Sequence, residues 1–230
     1  MYSILPSLLI NNKNIIKSSS KKGIFFAVEG PDGSGKSTLI ENLKLYFEKM
    51  GLNVGVFKNH AGQLSPYWQS VKVTKNQLAE KNLFLSHEIE RALQTFEFLA
   101  YCRSTLPIML DNCDIVIADR YILSKIIHGR LAFKYKTEAE NLLLVANDIP
   151  IPEKTFFIDI SAETAMERIV KRGKECDWKE NARMISKVIN LYGEYLPNIS
   201  NLCRLDGSLS PEDLVNEVVK LSKNSVMGFV

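Results

Sequence analysis

Residues Ala27 to Thr38 read AVEGPDGSGKST: three glycines, a lysine and two final hydroxyl residues, placed directly after an apolar run. Gly30, Gly35, Lys36 and Ser37 fit the spacing G-x-x-x-x-G-K-[ST]. Gly30, Gly33 and Gly35 let the backbone close into a tight loop whose N–H groups turn inward. At the positive end of a following helix, such a concavity holds phosphate oxygens. Lys36 is then spaced to reach the outer phosphates of a nucleoside triphosphate, and the Ser37 hydroxyl to ligate Mg²⁺. The bland alternative is a glycine turn with an exposed lysine. A second group belongs beside the first. The apolar run IVIAD ends in Asp119, and an aspartate at the end of a strand next to such a loop holds Mg²⁺ directly or through water. Asp119 equally suits the N-cap of the helix that follows.

These groups need elements to hold them. GIFFAVEG reads as a buried strand leading into the loop, and STLIENLKLYFEKMG as an amphipathic helix stopped by Gly51. NVGVFK, DIVIAD, the strand in IPIPEKTFFIDI and LCRLDG continue the strand series. Between them lie helical stretches. One region spans roughly 65–112, interrupted near Asn82 and kinked or broken at Pro107. Others are expected at 120–130 and 138–147, after Ser161 as N-cap, over KENARMISKVINLYGEYLPNI, and after a Ser210 cap with Pro211 in the first turn. Strands alternating with helices call for a parallel sheet covered on both faces, an α/β architecture in three layers.

The 230 residues suit one such domain, and an apolar fraction of 46% supplies its core. A net charge of +3, from 29 basic and 26 acidic residues, is too even for a nucleic-acid or membrane binder, so neither partner is expected. Cys102, Cys113, Cys176 and Cys203 form no C-x-x-C pair and read as reduced thiols, which fits the cytoplasm. His60, His87 and His128 have no companions at metal-ligand spacing. Residues 1–22 carry their lysines after a short apolar patch, unlike a signal peptide, and read as an arm or disordered extension before a domain at 23–230.

Taken together, FFAVEGPDGSGKST, ADRYILS, IPIPEKTFFIDISAETAMERIVKRG, DWKENARMISKVINLYGEYL and RLDGSLSPEDLVNEV, in this order, resemble the thymidylate kinases among P-loop nucleoside monophosphate kinases. The resemblance implies a P-loop NTPase fold with a roughly five-stranded parallel sheet and a short basic lid at about 172–180. ATP and Mg²⁺ are expected on Gly30, Asp32, Gly33, Ser34, Gly35, Lys36, Ser37 and Thr38, with Gly207 near the adenine and Ser37 and Asp119 on the metal. The chemistry is in-line transfer of the γ-phosphoryl group to a nucleoside monophosphate, which rests on positioning and charge neutralisation. Arg120 is expected on the acceptor phosphate, and Tyr121, Ser124 and His128 around the acceptor. Arg168 and Arg172, one helical turn apart, are expected to stabilise the transferring group. A solvated basic helix face is the alternative for that pair. The family is commonly dimeric, and the apolar faces between residues 83 and 111 are candidates for that contact.

The acceptor half departs from the family pattern. Lys58 stands where an arginine is usual and Asn59 where a carboxylate is usual. Glu97 falls at the position of an arginine, with Arg91 and Arg103 as flanking cations, and IIHGR replaces the usual sequence after the Asp-Arg-Tyr segment, adding Arg130. Lys58, Glu97 and Arg103 therefore join the candidate acceptor contacts. Two other readings follow from these departures: a P-loop kinase acting on a nucleoside or another small hydroxyl compound, and a non-catalytic NTP-binding module.

Overall fold

The computed structural model describes residues 23–58, 66–81, 83–84, 86–132, 149–173 and 181–226. The N-terminal arm, the helix expected at 138–147 and most of the expected lid, 174–180, lie outside them. Five strands, β1 (Ile24–Glu29), β2 (Val54–Lys58), β3 (Ile115–Asp119), β4 (Lys154–Asp159) and β5 (Leu202–Asp206), form one sheet in the order β2-β3-β1-β4-β5. All four pairings are parallel. A parallel neighbour requires a crossover, and the helices supply it. They are α1 (Lys36–Lys49), α2 (Pro66–Glu80), α3 (His87–Asn112), α4 (Ile122–Ala132), α5 (Ala162–Lys171), α6 (Ala182–Tyr195) and α7 (Pro211–Val226). Among the described residues, no helix is long and apolar enough to cross a membrane.

β1 is buried along its whole length because it is central and covered on both faces. Its alternation sends Ile24, Phe26 and Val28 into the layer holding Leu39, Leu43 and Phe47 of α1, Ala165 and Ile169 of α5, and Val218 of α7. Phe25 and Ala27 face the other layer, with Phe98, Leu99, Cys102, Leu106 and Leu110 of α3 and Tyr121. A further cluster joins Phe157 and Leu123, Ile126 and Ile127 of α4 to Leu191, Tyr192 and Tyr195 of α6.

The helix caps fall where the side chains suggest. Ser161 accepts the Thr164 amide at 3.1 Å, Asn181 the Met184 amide at 3.0 Å and Ser210 the Asp213 amide at 3.1 Å. Of the kink or break expected at Pro107, a break does not occur, and α3 continues through it to Asn112. A proline inside a helix removes one hydrogen bond and costs about 3 kcal/mol. Phe98, Leu99, Cys102, Leu106 and Leu110 form one buried stripe of α3, and each such side chain contributes about 1.5 to 3 kcal/mol on burial, so packing outweighs the defect.

Candidate active site

The loop after β1 has the backbone its glycines allow. Gly30, Gly33 and Gly35 have φ of 150°, 80° and 94°, values that side-chain-bearing residues rarely adopt. Gly33 also packs so closely on α5 that a Cβ there would stand 2.4 Å from the Ala165 carbonyl oxygen. The loop ends at Gly35, directly before the first turn of α1, where Ser37 and Thr38 are exposed. Lys36 is buried, with Nζ donating to the Pro31 carbonyl at 2.6 Å and to Ser34 Oγ at 3.3 Å. Burial pushes its pKa down to about 7. Arg120 adds to that shift, and Asp32, Asp119 and Glu29 oppose it.

Asp119 ends β3 and is in register with Val28 of β1 and Lys58 of β2. The parallel register therefore brings Lys58, Asp119 and the start of the phosphate loop to one edge of the sheet. The alternative reading of Asp119 as a helix cap is not what the structure adopts. The amides at the start of α4, Tyr121 N and Ser124 N, donate to Glu29 Oε1 at 2.7 and 3.1 Å. Glu29, the last residue of β1, was not a candidate from sequence. Its only signal was a carboxylate ending a fully apolar strand, which burial alone would penalise.

Arg120 links the two halves of the site. It is the one described non-glycine residue with positive φ, at 66°. Its amide donates to the Val28 carbonyl at 3.0 Å. Its Nη1 donates to the Gly30 carbonyl at 2.9 Å and to Ser124 Oγ at 3.3 Å, and its Nη2 pairs with Asp32 of the loop. A guanidinium has five N–H donors, and these bonds occupy three. Asp32, expected among the ATP contacts, is thus held on the cation expected at the acceptor phosphate.

Several expected acceptor residues take structural positions. The Tyr121 ring lies in the core, edge-on to Phe25 and Phe98 at 5.0 and 5.4 Å, with its hydroxyl donating to the Pro150 carbonyl at 2.7 Å. Ser124 is fully buried between Glu29, Arg120 and Tyr192. His128 lies one turn further along α4 and is partly buried. Lys58 is exposed at the sheet edge, and Arg103 is on the exposed side of α3. Arg130 turns to α6, where Nη1 meets Glu194 Oε2 at 3.4 Å and the Tyr195 hydroxyl at 3.1 Å.

Glu97 is buried and lies within electrostatic reach of Lys125, a residue that the sequence did not single out. Lys125 of α4 is 8% exposed, donates to the Gln94 carbonyl at 3.2 Å and lies 5.2 Å from the centre of the Phe98 ring. Burial pushes its pKa down to about 7. Arg91 adds to the shift, while Glu97 and then Cys102 oppose it.

On the other side of the loop, Arg168 donates from Nη1 to the Ser34 carbonyl at 3.4 Å and from Nη2 to the Gly207 carbonyl at 2.7 Å. It braces the phosphate loop against the turn after β5. That turn admits no side chain at position 207, because a Cβ on Gly207 would stand 1.8 Å from Ile160 Cγ2. Arg172 caps the C-terminus of α5 and is exposed, directly before Gly173.

The profile of the protein family described as thymidylate kinase matches residues 28–218. Among curated proteins, the chain is 28% identical over 205 residues to the thymidylate kinase of Fervidobacterium nodosum, covering 86% of this chain and 98% of that protein. It is 29% identical over 220 residues to the thymidylate kinase of Desulfotalea psychrophila, covering 89% and 98%. With the thymidylate kinase of a Thermoanaerobacter species the figures are 30% over 155 residues, 66% and 72%.

Proposed function

The chain belongs to the thymidylate kinase family, and on that premise we propose that it transfers the γ-phosphoryl group of ATP to dTMP or a related pyrimidine nucleoside monophosphate, releasing the diphosphate and ADP. The observation that carries this reading is the convergence of Lys36, Asp119 and Arg120 at the carboxyl ends of β1 and β3. The donor's phosphates meet the loop amides and Lys36, whose ammonium exchanges the Pro31 carbonyl and Ser34 hydroxyl for phosphate oxygens. Arg120, anchored by Gly30, Ser124 and Asp32, keeps donors for an acceptor phosphate. Arg168 stands against the loop itself, and Arg172 lies exposed at the C-terminal end of the same helix. Electrostatic catalysis of phosphoryl transfer needs this convergence of cations on charge that cannot be screened by water.

The residues present suit Mg²⁺. The Ser37 hydroxyl is exposed at the start of α1, and the Asp119 carboxylate lies within electrostatic reach of Lys36 and Arg120. When bound there, the ion neutralises phosphate charge and orients the outer phosphates. On the acceptor side, Glu97 and Lys125 attract one another within the protein, and Arg120 is the cation this reading assigns to the acceptor phosphate, because it stands between the phosphate loop and α4.

The test is ADP release with ATP and Mg²⁺ over a panel of dTMP, dUMP, dCMP, CMP, dAMP and dGMP. Turnover with a pyrimidine monophosphate is expected and its loss in Lys36→Ala; no turnover with any of the six refutes the reading.

The proposal extends to a homodimer working in the cytoplasm. Ile89, Leu93 and Phe96 form an exposed apolar stripe on α3, and Leu83 and Phe84, which precede the helix, are exposed too, Phe84 at 88%. Light scattering should give twice the chain mass for the wild type and the single mass for Phe96→Glu. The cysteines Cys102, Cys113 and Cys203 are free thiols, which suits a reducing compartment.

A further inference from the structure

Glu29 is the buried charge that the proposed transfer leaves without a task. Its side chain is 0% exposed, so it touches neither solvent nor a ligand in the cleft. Both oxygens are occupied. Oε1 accepts the amides of Tyr121 and Ser124, and Oε2 accepts the hydroxyls of Ser124 and Tyr192, the latter at 3.2 Å. A carboxylate with this coordination has no lone pair directed at an acceptor hydroxyl, and that excludes it as a proton acceptor in the transfer.

What it does touch is the backbone on the far side of Arg120. The left-handed conformation at Arg120 is one that a side-chain-bearing residue adopts only at a cost. The residue is pinned at both ends to consecutive positions of β1: its own amide to the Val28 carbonyl, and the next amide, Tyr121, to the Glu29 carboxylate. Release of the second tie leaves a buried amide unpaired and frees Arg120 to relax to ordinary backbone angles. The guanidinium would then leave the Gly30 carbonyl and Asp32. Ser124 repeats the coupling through side chains, because its hydroxyl accepts from Arg120 Nη1 and donates to Glu29.

We propose that Glu29 is the positioning residue of the acceptor-phosphate clamp: by accepting the Tyr121 and Ser124 amides it holds Arg120 in the left-handed conformation that aims its guanidinium across the phosphate loop. The inference rests on the reading of Arg120 as the acceptor-phosphate cation.

Two conservative variants separate reach from charge. Glu29→Gln keeps the length and an oxygen for both amides, while the Ser124 and Tyr192 hydroxyls turn to accept from its amide. Glu29→Asp keeps the charge but is shorter by one carbon–carbon bond, about 1.5 Å, and cannot serve both amides. Affinity for dTMP is measured by calorimetry without ATP, alongside ATP affinity, thermal stability and the crystal structure of each variant. Glu29→Asp should weaken dTMP binding about 10- to 100-fold, the range for losing hydrogen bonds to a charged group, and ATP binding by less than about threefold. Glu29→Gln should weaken dTMP by about threefold, as expected for a neutral hydrogen bond in place of a charged one. Three results overturn the proposal. The first is a Glu29→Gln cost equal to that of Glu29→Asp, which makes charge rather than reach decisive. The second is a Glu29→Asp loss of dTMP and ATP affinity alike, the mark of general loosening. The third is an Arg120 that keeps its positive φ and its bond to Asp32 in Glu29→Asp. That last measurement judges the proposal even where the wild type binds no monophosphate, a result that would sink the functional reading separately.

Discussion

Lys125 provides a quantitative test of how the protein handles a buried cation. Its pKa is pushed from the ordinary 10.5 down to about 7 by burial, with Arg91 adding to the shift and Glu97 and Cys102 opposing it. Below pH 7 the lysine is protonated in both folded and unfolded chains, and the folded state carries the full penalty. Between about 7 and 10.5 the unfolded chain holds a proton that the folded chain lacks, so this group makes stability rise with pH, by about 1.4 kcal/mol per unit. From about pH 6 to about pH 9 the rise spans roughly two units above the folded pKa, or about 2 to 3 kcal/mol. Lys125→Met removes the titration and keeps an unbranched side chain of similar length. Its changed packing shifts stability by an amount that does not depend on pH, whereas the contacts that the ammonium makes with Gln94 and Phe98 belong to the titration that the variant removes. Lys36, also lowered to about 7, is present in both proteins and cancels. Urea unfolding of wild type and variant at the two pH values gives the four free energies. The stability of Lys125→Met relative to wild type should fall by about 2 to 3 kcal/mol on going to the higher pH. A relative stability that stays constant within about 0.5 kcal/mol refutes the reasoning, because that is the size of ordinary surface effects.

Three further predictions follow from the geometry. Gly207→Ala should destabilise by about 3 kcal/mol or more through overpacking against Ile160, whereas Gly51→Ala, with nothing within 4 Å of its Cβ and only a φ of 84° to strain it, should cost about 1 to 2 kcal/mol; equal melting temperatures for the two variants would contradict the packing at Gly207. Arg168→Met should raise the KM for ATP about tenfold or more while the KM for the acceptor moves by less than about threefold, since the lost bonds are to Ser34 and Gly207 on the donor side; a larger acceptor effect would place Arg168 wrongly. Asp32→Asn should free Arg120 from its ion pair and change acceptor affinity more than ATP affinity, measured by calorimetry with each nucleotide separately; an effect on ATP alone would return Asp32 to the donor site.

The backbone of the loop after β1 was legible in the chain because its causes are local. Gly30, Gly33, Gly35 and Lys36 lie within seven consecutive positions, and the backbone angles they permit are a property of each residue. The apolar alternation of β1 and the caps Ser161 and Ser210 are equally short-range. The residues proposed for the acceptor side were harder to read. Tyr121 reads from sequence as a pocket residue, yet its ring is taken by the core, because the Phe25 and Phe98 faces stand beside it only once α3 packs on the sheet. Arg130 reads as a cation near the acceptor and is instead drawn to α6 by Glu194 and Tyr195. Pro107 reads as a kink or a break, and α3 runs on through it to Asn112 because the stripe facing the sheet outweighs a local defect.

The sequence by itself determined the phosphate-binding loop, the alternation of strands and helices, and the family to which they belong, because each depends on residue type and short spacing. Only the tertiary structure decided which charges meet. Glu29 rather than Asp119 serves the amides at the start of α4, across 92 positions of chain, and Lys125 of α4 comes within electrostatic reach of Glu97 of α3. Both pairings follow from which strands lie side by side and which helices cover them. A buried charge takes whatever partner that packing brings within reach, since burial makes an unanswered charge too costly to keep.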